Sequence, residues 1–206
     1  QSYIPGRFLL TKGMSNYDII QALKTNNPVS LTFNNQETLA KLVSRISSQI
    51  EPDSISLMET FLEPKFLEEN NFTKDDVLAM FVPNTYEFYW NTTALKVRNS
   101  LHKEYIKFWN DDRKAKAKAL GLTQSQVTIL ASIVQKETAK EDERPRVAGA
   151  YLNRLNQDML LQADPTVVYS KKLLTYDFDQ VIKRVYLNDL KLNSPYNTYM
   201  YKGLPP

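Results

Sequence analysis

One glutamate stands out among the residues that could carry chemistry. Glu137 closes the stretch ILASIVQKE, and Leu130, Ile133 and Val134 precede it at the three- and four-residue spacing that places side chains on one helical face. The pattern therefore predicts a carboxyl group on an apolar face. A carboxyl held beside apolar side chains is harder to ionise and becomes a proton donor near neutral pH. Glycosidic bond cleavage requires such a general acid.

The same spacing also fits a second interpretation, in which Glu137 is a helix-end carboxylate that reaches solvent past its apolar neighbours. Glu141 and Glu143 follow closely, and Asp164 lies farther along the chain in LQADPT. Glu137 is preferred as the acid because it is the only acidic residue on the apolar face.

The composition removes most other catalytic chemistries. The 206 residues contain no cysteine and a single histidine, His102, so thiolate nucleophiles, Ser-His-Asp triads and Cys- or His-rich metal sites lack their side chains. The five glycines form neither a GxGxxG motif nor a P-loop. We therefore expect no metal and no cofactor. A net charge of +3, with both signs spread along the chain, predicts no nucleic-acid partner.

Helix-start and helix-end signals locate the elements around Glu137. Thr123 and Gln126 form a capping-box pattern ahead of the glutamate helix, and Pro145 suits the first turn of the next helix. One long helix over residues 94–120, ended by Gly121, is predicted to precede them.

The first half of the chain predicts a small α+β module and a helical middle region. GRFLLTKG and PVSLTF are typical of short strands, and a helix capped by Ser15 and Asp18 lies between them. A second helix is predicted to begin at Asn35. Two further capping-box patterns predict helices in the middle region: Ser56 with Glu59, and Thr73 with Asp76.

The last part of the chain is rich in tyrosine, asparagine and glutamine. Aromatic faces suit sugar rings and amides suit sugar hydroxyls, so LQADPT and SPYNTY are compatible with a sugar site. Each segment is also compatible with a surface turn. AYLNRL is compatible with a packed helix that has Asn153 and Arg154 on its solvent side.

Taken together and in this order, ASIVQKET, ER..VAGAYLNRL, LQADPTVVY, SPYNTY and GLPP resemble the bacterial endolytic murein transglycosylases of the MltG (YceG-like) family. The resemblance is dense from about Phe81 to Pro206. It is looser before that, where GRFLLTKGMSNYDIIQAL is similar to the family's small LysM-like region.

The resemblance implies that Glu137, in the K-E-T stretch, is the catalytic residue. Many family members have a second glutamate where this chain has Gln135, and more often an aspartate where it has Asn84. Such enzymes cut the MurNAc–GlcNAc β-1,4 bond of peptidoglycan without water and leave a 1,6-anhydro-MurNAc end. One carboxylate suffices because the C6 hydroxyl of the sugar is the nucleophile.

The resemblance also implies the residues that bind the glycan. We expect the groove to be lined by side chains from the family-like motifs: Gln162, Asp164, Tyr196, Asn197 and Tyr199, with Asn153 nearby. Asp164 is expected to position Glu137 or a sugar hydroxyl, and Tyr196 or Tyr199 to contact a sugar ring.

The expected fold class is α+β, in three regions. Residues 1–50 form a small LysM-like module, residues 51–80 a helical connection, and residues 81–206 a mainly helical catalytic region with short strands, which is C-terminally incomplete. The resemblance implies a protein of the bacterial cytoplasmic membrane, with a transmembrane helix ahead of Gln1 and the catalytic part outside the cytoplasm.

The implied partners are peptidoglycan glycan strands and penicillin-binding proteins or other cell-wall synthases, beside which the enzyme would terminate glycan polymerisation. Two alternatives stay open. One is a LysM-like glycan-binding module without catalysis, and the other is a hydrolase that produces reducing ends.

Overall fold

A computed structural model describes residues 5–206, so the first four residues of the expected N-terminal module lie outside the described residues. The chain divides into two compact units. The N-terminal unit ends at Phe108, and the C-terminal unit comprises Trp109–Pro206.

The N-terminal unit contains an antiparallel pair of strands, β1 (Pro28–Phe33) and β2 (Asn84–Tyr89). Side chains of β1 alternate between exposed and buried, as a strand with one face on a core requires. The described residues of this unit also form five α-helices, α1 (Asn16–Ala22), α2 (Leu39–Ser47), α3 (Ser54–Phe61), α4 (Pro64–Glu69) and α5 (Ala94–Phe108), and a short 3-10 helix at Val77–Met80. The predicted α+β fold class is confirmed.

Several local predictions for the N-terminal unit are wrong. GRFLLTKG forms no strand. The helix predicted to begin at Asn35 is α2, whose cap is Thr38, and α3 is capped by Asp53, whose side chain accepts a hydrogen bond from the Ser56 backbone. The prediction from Ser56 failed because Asp53, three residues earlier, is the better cap. Its carboxylate accepts from the Ser56 N–H, so Ser56 already lies inside the helix.

The C-terminal unit is helical, with α6 (Asp111–Ala119), α7 (Gln124–Glu137), α8 (Arg144–Asn156) and α9 (Asp164–Thr175). The single long helix predicted over residues 94–120 is therefore wrong. It breaks into α5 and α6 at Asn110, which has extended backbone and accepts a hydrogen bond from the Arg113 N–H. Gly121, with φ of +70°, follows α6 as predicted.

The helix that carries Glu137 begins where the sequence predicts. The Thr123 hydroxyl accepts from the Gln126 N–H, and the Gln126 side chain accepts from the Thr123 N–H. Pro145 lies in the first turn of α8, also as predicted. The core of this unit packs α7 and α8 against the segment before α9 through six buried residues: Leu130, Ile133, Val134, Tyr151, Leu161 and Ala163.

The structural boundary at residue 108 differs from the boundaries expected at residues 50 and 80. β2 follows residue 80 in sequence, yet it pairs with β1 and so belongs to the N-terminal unit. Strand pairing between distant segments leaves no local signal, which is why the sequence pattern missed it. The assignment of LysM-like and catalytic roles to regions of the chain stays a prediction.

Within residues 5–206, no helix combines the length and the apolar composition that a membrane span needs.

Candidate active site

Glu137 is the last residue of α7, and its side chain is exposed. Leu130, Ile133 and Val134 are buried on the face that leads to it, but Thr138 turns to extended backbone and ends the helix there. The carboxylate therefore lies just past the apolar face. The expectation that apolar side chains surround it is wrong, and the second interpretation, a helix-end carboxylate that reaches solvent, describes its position.

Tyr151 of α8 holds this carboxylate. Its hydroxyl donates to Glu137 Oε2 over 3.1 Å, while its ring is buried in the core. Burial, the negative charge of Glu137 and this hydrogen bond together raise the pKa of the Tyr151 hydroxyl far above its ordinary value. Tyr151 therefore stays a neutral donor throughout the physiological pH range.

The sequence pattern does not single out Tyr151, because its position on the buried face of α8 is typical of a core aromatic residue. Val147, Ala148 and Leu155 share that face and pack on the same core. The available signal was chemical, since a tyrosine on a buried face needs a hydrogen-bond partner for its hydroxyl.

A second tyrosine–carboxylate pair lies beside the first. The Tyr199 hydroxyl donates to Asp164 Oδ1 over 2.6 Å. Burial, the bond to Asp164 and the charges of Asp164 and Glu137 raise the pKa of Tyr199 to about 12, against the opposing charge of Arg154. Leu161 and Ala163 of LQADPT pack in the core that α7 and α8 share. The Gln162 N–H donates to the Thr198 carbonyl of SPYNTY. These two motifs therefore lie together, next to the helix that ends at Glu137.

Buried hydroxyls join these two motifs. The Thr166 hydroxyl donates to the Ala163 carbonyl over 2.7 Å and lies 2.8 Å from the Thr198 hydroxyl, which accepts from the Ala163 N–H over 3.0 Å. Thr166 and Thr198 are 5% and 2% exposed, so water cannot replace these bonds. The pairing fixes Asp164, at the start of α9, next to the segment that carries Tyr199.

Gln162 has an unusual backbone, which two contacts maintain. Its φ of +55° lies in the left-handed region, which residues other than glycine rarely adopt. Its N–H donates to the Thr198 carbonyl over 3.1 Å, and its Oε1 accepts from Arg154 Nη1 over 3.0 Å. Arg154 also donates to the Leu160 carbonyl over 2.9 Å, so it supports the loop and is not a purely solvent-facing residue.

Asn197 does not line a groove, in contrast to the expectation. It is fully buried, and its Nδ2 donates to the carbonyls of Leu190 and Leu192 over 3.0 and 2.8 Å. Its Oδ1 accepts from the Tyr199 N–H over 3.0 Å. Asn197 therefore shapes the segment that presents Tyr199.

Tyr196 and Asn153 occupy more peripheral positions. The Tyr196 ring is half-buried against Tyr169 of α9, with ring centroids 4.8 Å apart. Asn153 is exposed on α8, next to Arg154. Contact of these residues, and of Gln162, Asp164 and Tyr199, with a ligand stays a prediction.

The alternative acids Glu141 and Glu143 each have a charged partner in the structure. Glu143 accepts from the Thr138 hydroxyl over 2.8 Å and pairs with Lys140 at 3.1 Å, and these bonds lower the pKa of its carboxyl. Glu141 is exposed and lies 3.5 Å from Arg144. By contrast, no protein hydrogen bond from residues 5–206 reaches Oε1 of Glu137. That oxygen is available to a ligand.

The described residues contain no group of three or more His, Asp or Glu side chains arranged to hold a metal ion. The candidate site thus consists of an exposed carboxylate held by a tyrosine, and a second carboxylate–tyrosine pair in the same unit of an α+β protein.

Comparison with known proteins identifies the family of the chain. The YceG-like family model matches residues 1–206, and the chain belongs to the YceG-like family.

The chain is similar to longer proteins. An endolytic murein transglycosylase of Bacillus subtilis (strain 168) is 27% identical over 221 residues, covering 98% of this chain and 59% of that protein. One of Streptococcus pneumoniae (strain D39) is 36% identical over 89 residues, covering 43% of this chain and 16% of that protein. The crystal structure of a YceG-like protein from Listeria monocytogenes matches with a TM-score of 0.71 and 25% identity, over 96% of this chain and 68% of that chain.

Proposed function

We propose that this chain is the catalytic part of an endolytic lytic transglycosylase that cuts the MurNAc–GlcNAc β-1,4 bond of peptidoglycan. The observation that carries the proposal is the Glu137 carboxylate at the exposed end of α7, held at one oxygen by Tyr151 and open at the other. The relatives of this family are named endolytic murein transglycosylases, which supplies the substrate class.

The chemistry needs a single proton carrier. Protonated Glu137 donates its proton to the glycosidic oxygen as the bond from C1 of MurNAc to that oxygen breaks. The resulting carboxylate then accepts the proton of the C6 hydroxyl as O6 bonds to C1. The product is a 1,6-anhydro-MurNAc end, the proton has returned to Glu137, and no water is consumed.

A second catalytic carboxylate is not required by this scheme, because the nucleophile belongs to the substrate. Asp164 has a different role. With one oxygen bound to the Tyr199 hydroxyl, it presents a fixed acceptor for a sugar hydroxyl beside Glu137. Tyr199, Tyr196, Gln162 and Asn153 complete the proposed glycan contacts.

Substrate binding also supplies what the free protein lacks around Glu137. The carboxylate is exposed here, whereas a proton donor works best where water is excluded. A glycan strand laid over the end of α7 would cover Oε1 and displace water from it. The proposal therefore predicts that proton transfer depends on contacts along several sugar units.

The test is digestion of purified peptidoglycan by the purified chain, followed by mass analysis of the released fragments. A transglycosylase releases glycan fragments with anhydro ends, and endolytic cutting yields fragments of several disaccharides. A hydrolase would release fragments heavier by one water, and a binding module would sediment with the peptidoglycan and release nothing. Either of the last two results contradicts the proposal.

We further propose that the whole protein acts outside the cytoplasm at the bacterial cytoplasmic membrane, anchored by an N-terminal helix, and terminates glycan strands made by neighbouring synthases. The support is the family membership and the substrate that it implies, since nascent peptidoglycan is assembled at that surface. Crosslinking of the full-length protein in cells tests the synthase contact. Capture of no penicillin-binding protein or other synthase would contradict it.

A further inference from the structure

We propose that Tyr151 is a positioning residue that holds Oε2 of Glu137, so that Oε1 carries the proton delivered to the glycosidic oxygen. This inference rests on the proposed function and assigns different tasks to the two carboxyl oxygens of Glu137. Nothing in the catalytic scheme alone distinguishes them, and the 3.1 Å hydrogen bond does.

Tyr151 is well suited to hold a group in place. Its side chain is only 8% exposed and packs in the core with residues from α7 and from the segment before α9, so its ring cannot rotate away from Glu137. The hydroxyl is its only polar atom and meets the carboxylate where the core ends. The exposed glutamate is thereby held by a rigid neighbour, although nothing apolar encloses it.

The hydrogen bond is compatible with both protonation states of Glu137. In the carboxylate, Oε2 accepts from the neutral tyrosine hydroxyl. In the carboxylic acid, the proton lies on Oε1 and Oε2 remains the carbonyl oxygen, which still accepts from Tyr151. With the proton on Oε2, the Tyr151 hydroxyl would have to accept instead, and its own proton would have no acceptor among residues 5–206. The acid form therefore favours the proton on Oε1, the oxygen that faces solvent.

Other charged and titratable groups face this pair from each neighbouring element. They are Arg154 of α8 and Tyr199 of the C-terminal segment, and Tyr199 is in turn bound to Asp164 at the start of α9. Tyr199 is bound to Asp164 and Arg154 to the loop before α9, so neither takes the place of Tyr151 at Oε2.

The test is Tyr151→Phe, which keeps the ring in the core and removes the hydroxyl. We expect kcat for peptidoglycan cleavage to fall about tenfold with little change in KM, because a hydrogen bond to a charged group is worth about that factor and Tyr151 lies behind Glu137. Tyr151→Phe should also bind glycan strands as wild type does. A purely structural role would raise KM and lower the unfolding free energy along with kcat.

Tyr86→Phe is the control, because it removes the hydroxyl of a half-buried tyrosine that donates to the Val82 carbonyl in the N-terminal unit. It should leave kcat and KM unchanged. In a Glu137→Gln background, Tyr151→Phe should cause no further loss. If folded Tyr151→Phe has the wild-type kcat, or if it lowers kcat further in the Glu137→Gln background, the positioning role is wrong while the proposed function stands. If the wild-type chain releases no anhydro-ended fragments, the proposed function itself is wrong.

Discussion

The two units of this chain differ in the kinds of side chain that they bury. The N-terminal unit buries large apolar side chains, including Phe61, Leu57 and Met80, none of which has exposed surface. The C-terminal unit has a smaller apolar core and adds buried polar side chains. Of the buried polar or charged residues in the described part of the chain, only Arg98 belongs to the N-terminal unit, and the others are Thr166, Ser170, Ser194, Asn197 and Thr198.

The difference follows from what each unit holds in place. Apolar packing is non-directional, so it stabilises helices and strands without fixing the geometry of an irregular segment. Hydrogen bonds are directional, and the segments around residues 157–163 and 192–206 lack regular secondary structure for much of their length. These are the segments that present Asp164 and Tyr199 to Glu137. The comparison predicts that the two units will fail in different ways.

The largest expected loss of stability is in the N-terminal unit. Phe61→Ala removes a fully buried ring that lies 4.7 Å from the Phe81 ring, centroid to centroid. It should lower the free energy of unfolding by about 3–5 kcal/mol, measured by chemical denaturation. Ile55→Ala on the same helix is the control, because Ile55 is 68% exposed. Below its melting temperature, Phe61→Ala should retain peptidoglycan cleavage. Loss of cleavage by a still folded variant would show that the N-terminal core also supports the site.

The next effect lies in the C-terminal unit and should reduce stability and cleavage together. Asn197→Ala removes three buried hydrogen bonds, to the carbonyls of Leu190 and Leu192 and from the Tyr199 N–H. Because the partners stay buried, we expect a loss of about 2–3 kcal/mol in unfolding free energy. Cleavage should also fall, since Tyr199 loses its support.

Asn153→Ala is the control for stability, because an exposed asparagine should change the unfolding free energy by less than about 0.5 kcal/mol. If Asn197→Ala were as stable as wild type but failed to bind glycan, Asn197 would be a ligand residue after all.

The smallest effect is a pH dependence confined to the N-terminal unit. Burial, and secondarily the charge of Arg98, lower the pKa of His102 from its ordinary value of 6.5. His102 therefore binds a proton more readily in the unfolded chain than in the folded chain. The free energy of unfolding should be highest above about pH 6.5 and should fall as the pH drops below that value. His102→Phe should weaken this decline.

The variant keeps an aromatic ring against Phe66, whose centroid lies 5.3 Å from that of His102. His102 is the only histidine in the chain, so a change in this pH range has one source among the histidines. Denaturation curves at about pH 7.5 and pH 5.5 make the comparison. If the unfolding free energies at these two pH values differ in His102→Phe as much as in wild type, His102 is not the source of the pH dependence.

Local signals predicted much of the fold. The capping boxes at Ser15 and Thr123 are present, because each needs only residues three positions apart. The pairing of β1 with β2 and the break at Asn110 were not predicted. The first joins segments more than fifty residues apart, and the second interrupts a run of good helix formers with one asparagine cap.

The site was predicted in part for the same reason. Glu137, Asp164 and Tyr199 were named from motifs, and the Thr166–Thr198 contact, which no spacing reveals, places Asp164 beside the segment that carries Tyr199. Their contact with a glycan stays a prediction. The surroundings of Glu137 were not predicted, because periodicity gives the face of a residue but not the point at which the helix leaves the core. Tyr151 was not singled out, and Asn197 was expected in the groove, because the pattern does not say which polar atoms are buried.

The most direct test of Glu137 as the general acid and base is the amount of anhydro product that Glu137→Gln forms. The amide keeps the shape of the side chain but cannot cycle a proton, so product formation should fall about a hundred- to ten-thousandfold. Because Glu137 is exposed, the thermal unfolding of the variant should match that of wild type, and it should still bind glycan strands. Retention of more than about a tenth of wild-type product, well outside that loss, would contradict the account and point to Glu141, Glu143 or Asp164 as the acid.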